Sequence, residues 1–264
     1  MKRLLRADFA RLRGNAFLWI IFALAVFMGI FSPIFGHRTC VIYMAPDSSY
    51  SMDYWLLKFT NVLAFSAALF CSLYTGTDYS EGTLRNKIAV GHSRRFVYVS
   101  DLIVNVVAIS VAYSIYLLVA LCVGLPFLGT FRQLAGKEIL VLVICAYAAM
   151  AAFAAVFTLI IMINSNPITA LGINLCIVIV SLCFAIHQLN LLTDVMFWTD
   201  AMATRREMTL FLLDFLPGSQ IMDFYALKDG LGNFDPGVML GGSVFFIALS
   251  TVIGLMVFRR KDLN

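Results

Sequence analysis

Residues 76–100 read GTDYSEGTLRNKIAVGHSRRFVYVS, a polar stretch bounded on both sides by apolar runs long enough to cross a membrane. Asp78, with Glu81 three residues later, predicts a capping box that opens a short helix. Gly91 suits the end of that helix, where the backbone often turns left-handed. Ser93 is a suitable N-cap for the helix that leads into the next apolar run. The stretch therefore predicts a short, capped helix that joins two membrane spans.

The short helix carries an apolar stripe. Leu84 and Ile88 are four residues apart and share one face, whereas Arg85 and Lys87 lie off it. A stripe of this kind can anchor a helix in a groove of a partner protein. The alternative is an ordinary solvated loop between spans, because most such loops bind nothing.

The composition is that of an integral membrane protein. Of the 264 residues, 61% are hydrophobic and only 13% are charged, and the mean hydropathy is +0.91. A soluble domain carries about 25% charged residues. The six cysteines form no CxxC pair, and all but Cys40 lie in apolar runs. We therefore expect neither a disulfide framework nor a metal site.

Six apolar stretches are close to the length of about twenty residues that a helix needs to cross the hydrocarbon core. They comprise residues 16–35, 56–75, 102–125, 139–163, 168–186 and 238–258. Pro126 is expected to close the third. Because a backbone in lipid must pair its own polar groups, the six stretches predict helices. The predicted fold class is an all-α integral membrane protein that forms a single domain over residues 1–264.

The positive charges predict the orientation. With the N-terminus inside, twelve of the nineteen Lys and Arg residues fall on the cytoplasmic side, which also holds residues 76–100. Both termini are therefore expected in the cytoplasm. Residues 1–14 predict a basic amphipathic helix in the membrane interface, and the alternative is a disordered tail that only sets the topology. The apolar run that follows is too long for a signal peptide and lacks a small-residue cleavage site, so we expect it to be retained.

Residues 187–237 form the longest polar interval and are expected outside the cell. Within them, MTLFLLDFLP (208–217) is apolar but reaches only about half-way across the hydrocarbon core. It predicts a short external re-entrant or interfacial helix that is broken by Pro217. A second short helix is expected over residues 219–228.

Polar side chains within the predicted spans are few. Asn105, Asn174 and Ser181 are the notable ones, and they predict either helix–helix packing or a polar cavity lining. No Asp or Glu lies in mid-span and no internal repeat is present, which argues against a proton-coupled carrier. The sequence also lacks the GxxxxGK[ST] motif and any catalytic constellation, so we expect no enzyme activity and no cofactor in this chain.

The run YSEGTLRNKIAVGHSRRFVYVSDLI (79–103) resembles the first cytoplasmic loop of the ABC type-2 exporter permeases. The order of residues is the same in both: an acidic residue is followed by Gly-Thr, by a basic-polar pair and by Gly-x-Ser-Arg, after which the chain returns to the membrane. The basic N-terminal helix, the six spans, the long external segment and the ending FRRKDLN are also similar to that family. Among its members, the small permeases of peptide-antibiotic and lantibiotic resistance and export resemble the chain most.

The resemblance implies that this loop is a coupling helix docked on a separate ATPase subunit. Two permease copies, as a homodimer or a related heterodimer, would act with two ATPase copies, which alone would use ATP and Mg²⁺. The expected substrate is a peptide or another amphipathic compound, and the expected location is the plasma membrane. Carried onto this sequence, the coupling residues are Tyr79, Glu81, Gly82, Leu84, Arg85, Lys87, Ile88 and Gly91.

A membrane scaffold or regulator that anchors a cytoplasmic partner without transport is the rival hypothesis. A membrane-embedded enzyme comes third, because no set of reactive residues supports it. Nothing in the sequence predicts a nucleic-acid partner.

Overall fold

The computed structural model describes residues 1–42, 52–58, 60–131, 136–193, 203–220 and 235–260, and within these ranges it contains helices and no strand. The helices are α1 (Lys2–Gly14), α2 (Ala16–Ile42), α3 (Met52–Lys58), α4 (Thr60–Ser80), α5 (Thr83–Ala89), α6 (Arg94–Leu128), α7 (Gly136–Asn164), α8 (Pro167–Thr193), α9 (Ala203–Phe215) and α10 (Pro236–Arg260). The all-α fold class is confirmed.

Six spans are also confirmed. The helices long and apolar enough to cross a membrane are α2, α4 together with the end of α3, α6, α7, α8 and α10. Each helix continues beyond its predicted span. The 35 residues of α6 give a length of about 52 Å, well beyond the hydrocarbon core of about 30 Å. Pro126 does not close this helix, which runs to Leu128 because a proline in the last turn removes only one helical hydrogen bond.

Both ends of the described chain lie at the same end of the helix bundle. Leu84 of α5 packs in one cluster with Leu4 of α1 and Phe258 near the end of α10. We call this the α5 end. The opposite end holds α3 and α9, and we call it the α9 end. An even number of spans requires this arrangement of the termini.

The second span is the centre of the bundle. α4 packs against α2, α6, α7 and α8. Of the most apolar stretch of 18 residues in this span, 69% is buried inside the protein. For α8 the corresponding share is only 22%. α8 therefore presents a broad apolar face outside the fold.

Small residues let neighbouring helices approach closely. A Cβ atom at Gly29 of α2 would lie 3.0 Å from the carbonyl oxygen of Tyr116 in α6. The ring of Tyr98 in α6 fills the space beside Gly254 of α10, and its hydroxyl donates to the carbonyl of Ser250 at 3.2 Å. Close packing replaces the hydrophobic effect as the main attraction between helices in lipid.

The segment after α8 folds back along the bundle. α9 includes most of residues 208–217 and ends before Pro217, as predicted, and one further helical turn covers residues 217–220. Gly218 lies against Ser181, near the middle of α8. Of the helix expected over residues 219–228, all but the first two positions lie outside the described residues.

Candidate functional site

The predicted capping box at the start of the loop helix is wrong. α4 continues through Asp78 to Ser80, so Asp78 lies in the last turn of a span. α5 begins after Gly82, whose φ of +68° is left-handed, and no side chain caps it. Glu81 is exposed. The Asp78 carboxylate is instead buried and forms ion pairs with cationic side chains. A charged donor binds a carboxylate more strongly than a backbone N–H does.

The end of α5 follows the prediction. Gly91 has a left-handed φ of +99°, and its N–H donates to the Ile88 carbonyl at 2.9 Å. The N–H of His92 donates to the Lys87 carbonyl at 3.2 Å, which completes a Schellman motif. Ser93 caps α6 by accepting an N–H from its first turn at 3.4 Å. α5 is therefore fixed at its C-terminal end.

Lys87 lies among three carboxylates that come from three different helices. Its Nζ is 2.9 Å from Asp8 Oδ1 of α1, 3.2 Å from Asp78 Oδ2 of α4 and 3.1 Å from Asp101 Oδ1 of α6. The side chain of Lys87 is only 10% exposed. One ammonium group thus ties α5 to α1, α4 and α6.

A second cation joins this group from α1. Arg11 forms an ion pair with Asp78, and its guanidinium lies 4.6 Å from the centre of the Tyr74 ring. The Ser100 hydroxyl donates to Asp8 Oδ2 at 2.6 Å. We refer to Asp8, Arg11, Asp78, Lys87 and Asp101 as the ionic cluster.

The ionic cluster fixes the relative positions of its helices. Removing one partner of a buried ion pair costs about 3–5 kcal/mol, because the other charge is left uncompensated. The ammonium of Lys87 already occupies the space between the carboxylates. Within the described ranges, no group of three or more His, Cys, Asp or Glu side chains is arranged to hold a metal ion.

The apolar stripe of α5 faces the chain's own bundle. Leu84 is 1% exposed and packs with Tyr98, and Ile88 packs at the edge of the same cluster. Tyr79, at the end of α4, donates its hydroxyl to the Met162 carbonyl of α7 at 3.0 Å. Leu84 and Lys87 therefore contact the chain's own helices, and their role in ATPase coupling, which the resemblance implied, stays a prediction.

The accessible side of the loop carries different residues. Val90, directly after the last residue of α5, is 80% exposed. The exposed residues, which we call the α5 outer face, are Glu81, Arg85, Asn86, Ala89, Val90 and Gly91. Of the eight residues that the resemblance implied, Glu81, Arg85 and Gly91 lie on this face.

Asn105 and Asn174, the two asparagines that the sequence analysis singled out, tie helices together. Asn105 Nδ2 of α6 donates to Thr75 Oγ1 of α4 at 3.0 Å and to Thr158 Oγ1 of α7 at 2.9 Å. Asn174 Nδ2 of α8 donates to Ser72 Oγ of α4 at 2.8 Å. Each bond joins two different spans, and such bonds between membrane helices contribute about 0.6 kcal/mol on average.

Ser181 lies in a different environment, beside a cavity of about 710 Å³. The cavity is lined by α7, α8, residues 216–219 and Phe246, and it extends along α8 from Thr169 to Phe184. The Ser181 hydroxyl itself donates back to the Val178 carbonyl at 2.9 Å. We refer to this space as the α8 cavity.

Sequence reasoning missed most of the ionic cluster. Asp8 is the only acidic residue in a basic N-terminal segment, and Asp101 interrupts the apolar residues that open the third span. Both positions are costly for a carboxylate that has no partner. An isolated acid beside a predicted span was the available signal, but its partner cannot be identified without the fold.

Comparison with known protein families decides the class. Residues 4–181, two thirds of the chain, match the family described as "ABC-2 family transporter protein". The chain belongs to the ABC-2 transporter family. No protein of curated function matches the chain.

Membership of the ABC-2 family makes the chain a permease-type membrane subunit. Members of the family are multi-pass membrane components that assemble with an ABC ATPase and form dimers, and they are typically not catalytic themselves. The family match includes most of α1, the ionic cluster and α5.

Proposed function

We propose that the chain is the permease subunit of an ATP-driven exporter and that its α5 outer face docks on a separate ABC ATPase. The observation that carries this proposal is a short helix that is exposed on one side and fixed by buried ion pairs on the other. A helix held in this way transmits a displacement, whereas a flexible loop absorbs it.

The ionic cluster connects α5 to the neighbouring helices, so a displacement of α5 is passed on to them. Any movement of α5 shifts Lys87 relative to the carboxylates of α1, α4 and α6, which lie 2.9–3.2 Å from its Nζ. Stretching these buried pairs is costly, so the three helices follow α5. Val90 offers the ATPase an apolar contact, and Arg85 offers a charged one.

The distribution of Lys and Arg supports a cytoplasmic location of the α5 end. The plasma membrane is the location that the family resemblance implies. Two permease copies and two ATPase copies form the working unit, with the substrate path between the permeases. The substrate is a peptide or another amphipathic compound, as the resemblance to the permeases of peptide-antibiotic and lantibiotic export implies. Under the rival proposal, a scaffold without transport, α5 binds a cytoplasmic partner that does not hydrolyse ATP.

A capture experiment separates these two functions. The chain, purified from its host membranes in mild detergent, is expected to retain a protein that contains an ABC nucleotide-binding motif. The ATP turnover of that protein should change when the permease is added back in proteoliposomes. The scaffold function is favoured if the retained partner does not hydrolyse ATP. It is also favoured if the rate of ATP turnover is the same with and without the permease.

The orientation is tested by thiol labelling in a background without native cysteines. Cysteine at Arg85 should react with a membrane-impermeant maleimide only after the cells are permeabilised. Cysteine at Met208, which is 63% exposed in α9, should react in intact cells. The reverse pattern would place α5 outside and contradict docking on a cytoplasmic ATPase.

A further inference from the structure

We propose that the exposed basic side of α1 binds the headgroups of anionic phospholipids, and that this binding stabilises the position of α5. The side chains concerned, which we call the α1 outer face, are those of Lys2, Arg3, Arg6 and Arg13, all exposed. Lys2, Arg6 and Arg13 are spaced by four and seven residues, so they form one stripe along the helix. The stripe is about 16 Å long at 1.5 Å per residue.

The α1 outer face carries positive charge that no acidic side chain balances. The single acidic residue of α1 is Asp8, which is 3% exposed and pairs with Lys87. Within the described ranges, the ion pairs of α1 are those of Asp8 and Arg11, both in the ionic cluster. Like charges at neighbouring positions of a helix repel each other. An anionic partner is attracted to this face and relieves the repulsion.

The position of α1 favours a lipid headgroup as that partner. Asn15 alone separates α1 from the first membrane span, and its Oδ1 accepts the N–H of Phe17 at 2.8 Å. Trp19, in the first turn of that span, is 63% exposed and donates its indole N–H to the Arg13 carbonyl at 3.3 Å. Tryptophan at the end of a span lies at the level of the headgroups. Arg13 is therefore held at that level, where lipid phosphates are the nearest anions.

The inner side of α1 connects the lipid contact to α5. Leu4 is buried in one cluster with Leu84 of α5. Asp8 Oδ1 lies 2.9 Å from the Nζ of Lys87, also of α5. Lipid bound on the α1 outer face restrains α1 at the interface and so keeps Asp8 in place beside Lys87. We therefore expect α5 to be steadier in an anionic bilayer than in a zwitterionic one.

The lipid contact does not depend on the proposed docking of an ATPase. The α1 outer face and the α5 outer face have no residue in common, and lipid binding requires the permease alone. Failure of the lipid contact and failure of ATPase docking are therefore seen in separate experiments.

The test measures which lipid lies beside α1 in nanodiscs that contain the permease alone with equal amounts of phosphatidylglycerol and phosphatidylcholine. A benzophenone amino acid replaces Ala10, which is exposed and lies four residues after Arg6 and three before Arg13. Mass spectrometry identifies the lipid that is captured after illumination.

The matched control carries the same amino acid at Ile168, which is 79% exposed. Ile168 lies at the same end of the bundle, because the adjacent Pro167 contacts Gly76 in the last turns of α4. The connection at residues 164–167 contains no Lys or Arg. The two positions therefore differ in the charge around them.

We expect the captured ratio of phosphatidylglycerol to phosphatidylcholine to be at least fivefold higher at position 10 than at position 168. Each basic side chain near an anionic surface strengthens binding by about fivefold. Arg6→Gln combined with Arg13→Gln should lower the ratio at position 10 at least threefold, whereas the corresponding Lys variant should keep it. Equal ratios at the two positions, or an unchanged ratio in the Gln variant, would overturn the proposal.

Hydrogen exchange tests the connection to α5. In the parent, the amides of residues 83–91 should exchange at least threefold more slowly with phosphatidylglycerol present than in phosphatidylcholine alone. The difference should vanish in the Arg6→Gln, Arg13→Gln variant and persist in Arg85→Gln, which removes an exposed cation from α5 instead. Equal exchange in the two lipids would overturn the proposal. Loss of phosphatidylglycerol capture at position 10 when the ATPase is added would overturn it too, because the α1 outer face would then bind protein.

Discussion

The α5 end and the α8 cavity differ in the side chains that lie between their helices. At the α5 end, charged groups are buried and the Nζ of one lysine meets three carboxylates. At the cavity, the walls are almost entirely apolar, and no charged residue belongs to the described lining. The difference indicates that specific charge contacts hold the helices of the first region in fixed positions, whereas the second region is joined by apolar contacts and is packed less closely.

The largest expected effect is the loss of the central ammonium. Lys87→Met leaves three carboxylates without their shared cation and should destabilise the protein by about 3–5 kcal/mol. Arg85→Met, an exposed neighbour on the same helix, should change stability by less than about 0.5 kcal/mol. Thermal unfolding in detergent measures both. Equal midpoints for the two variants would mean that the ionic cluster does not hold the helices.

Substitution on the apolar side of α5 should reduce stability almost as much as loss of the Lys87 ammonium. Leu84→Ala removes a side chain that is 1% exposed and should cost about 2–5 kcal/mol. Val90→Ala is the control, because Val90 is almost fully exposed and contributes little to the free monomer. Limited proteolysis of the loop reports the local loss. If Val90→Ala is the more labile variant, the orientation of α5 described above is wrong.

The cap of α6 is expected to contribute less. Ser93→Ala should reduce stability by about 0.5–2 kcal/mol, because the first turn of α6 loses its acceptor. Ser93→Asp keeps an acceptor and should restore the parent value. Hydrogen exchange of the amides of residues 94–97 resolves the effect. Similar protection in the alanine variant and the parent would contradict a capping role.

The α8 cavity should give the smallest change in stability. Gly172→Leu adds a side chain where no atom lies within 4 Å of its Cβ, so the thermal midpoint should stay close to that of the parent. Gly29→Leu should unfold far more easily, because its Cβ would press on the backbone of α6. Comparable losses in both variants would mean that the cavity is already closed.

Much of the fold follows from local sequence. Runs of about twenty apolar residues predict the six spans because lipid leaves the backbone no other way to pair its polar groups. Gly91 and Ser93 were identified correctly because helix ends depend on neighbouring residues. The helical break near Pro217 is local in the same sense.

The ionic cluster could not be predicted in the same way. Asp8 and Lys87 are far apart in the sequence, and their contact exists only once α1 lies against α6. Asp78 fits a capping box by spacing, yet its burial beside Arg11 and Lys87 decides its role. Leu84 shows the same limit, since a four-residue spacing identifies a stripe but not the surface that the stripe covers.

The coupling role of the α5 outer face is tested most directly by ATPase titration. The captured ATPase is titrated onto permease proteoliposomes, and its turnover is measured for the parent and for Val90→Asp. We expect the half-saturating ATPase concentration to rise at least about tenfold, because burial of a valine is lost at the contact. The thermal midpoint should stay unchanged, since Val90 is exposed. An identical titration curve for the folded Val90→Asp variant would contradict docking through this face.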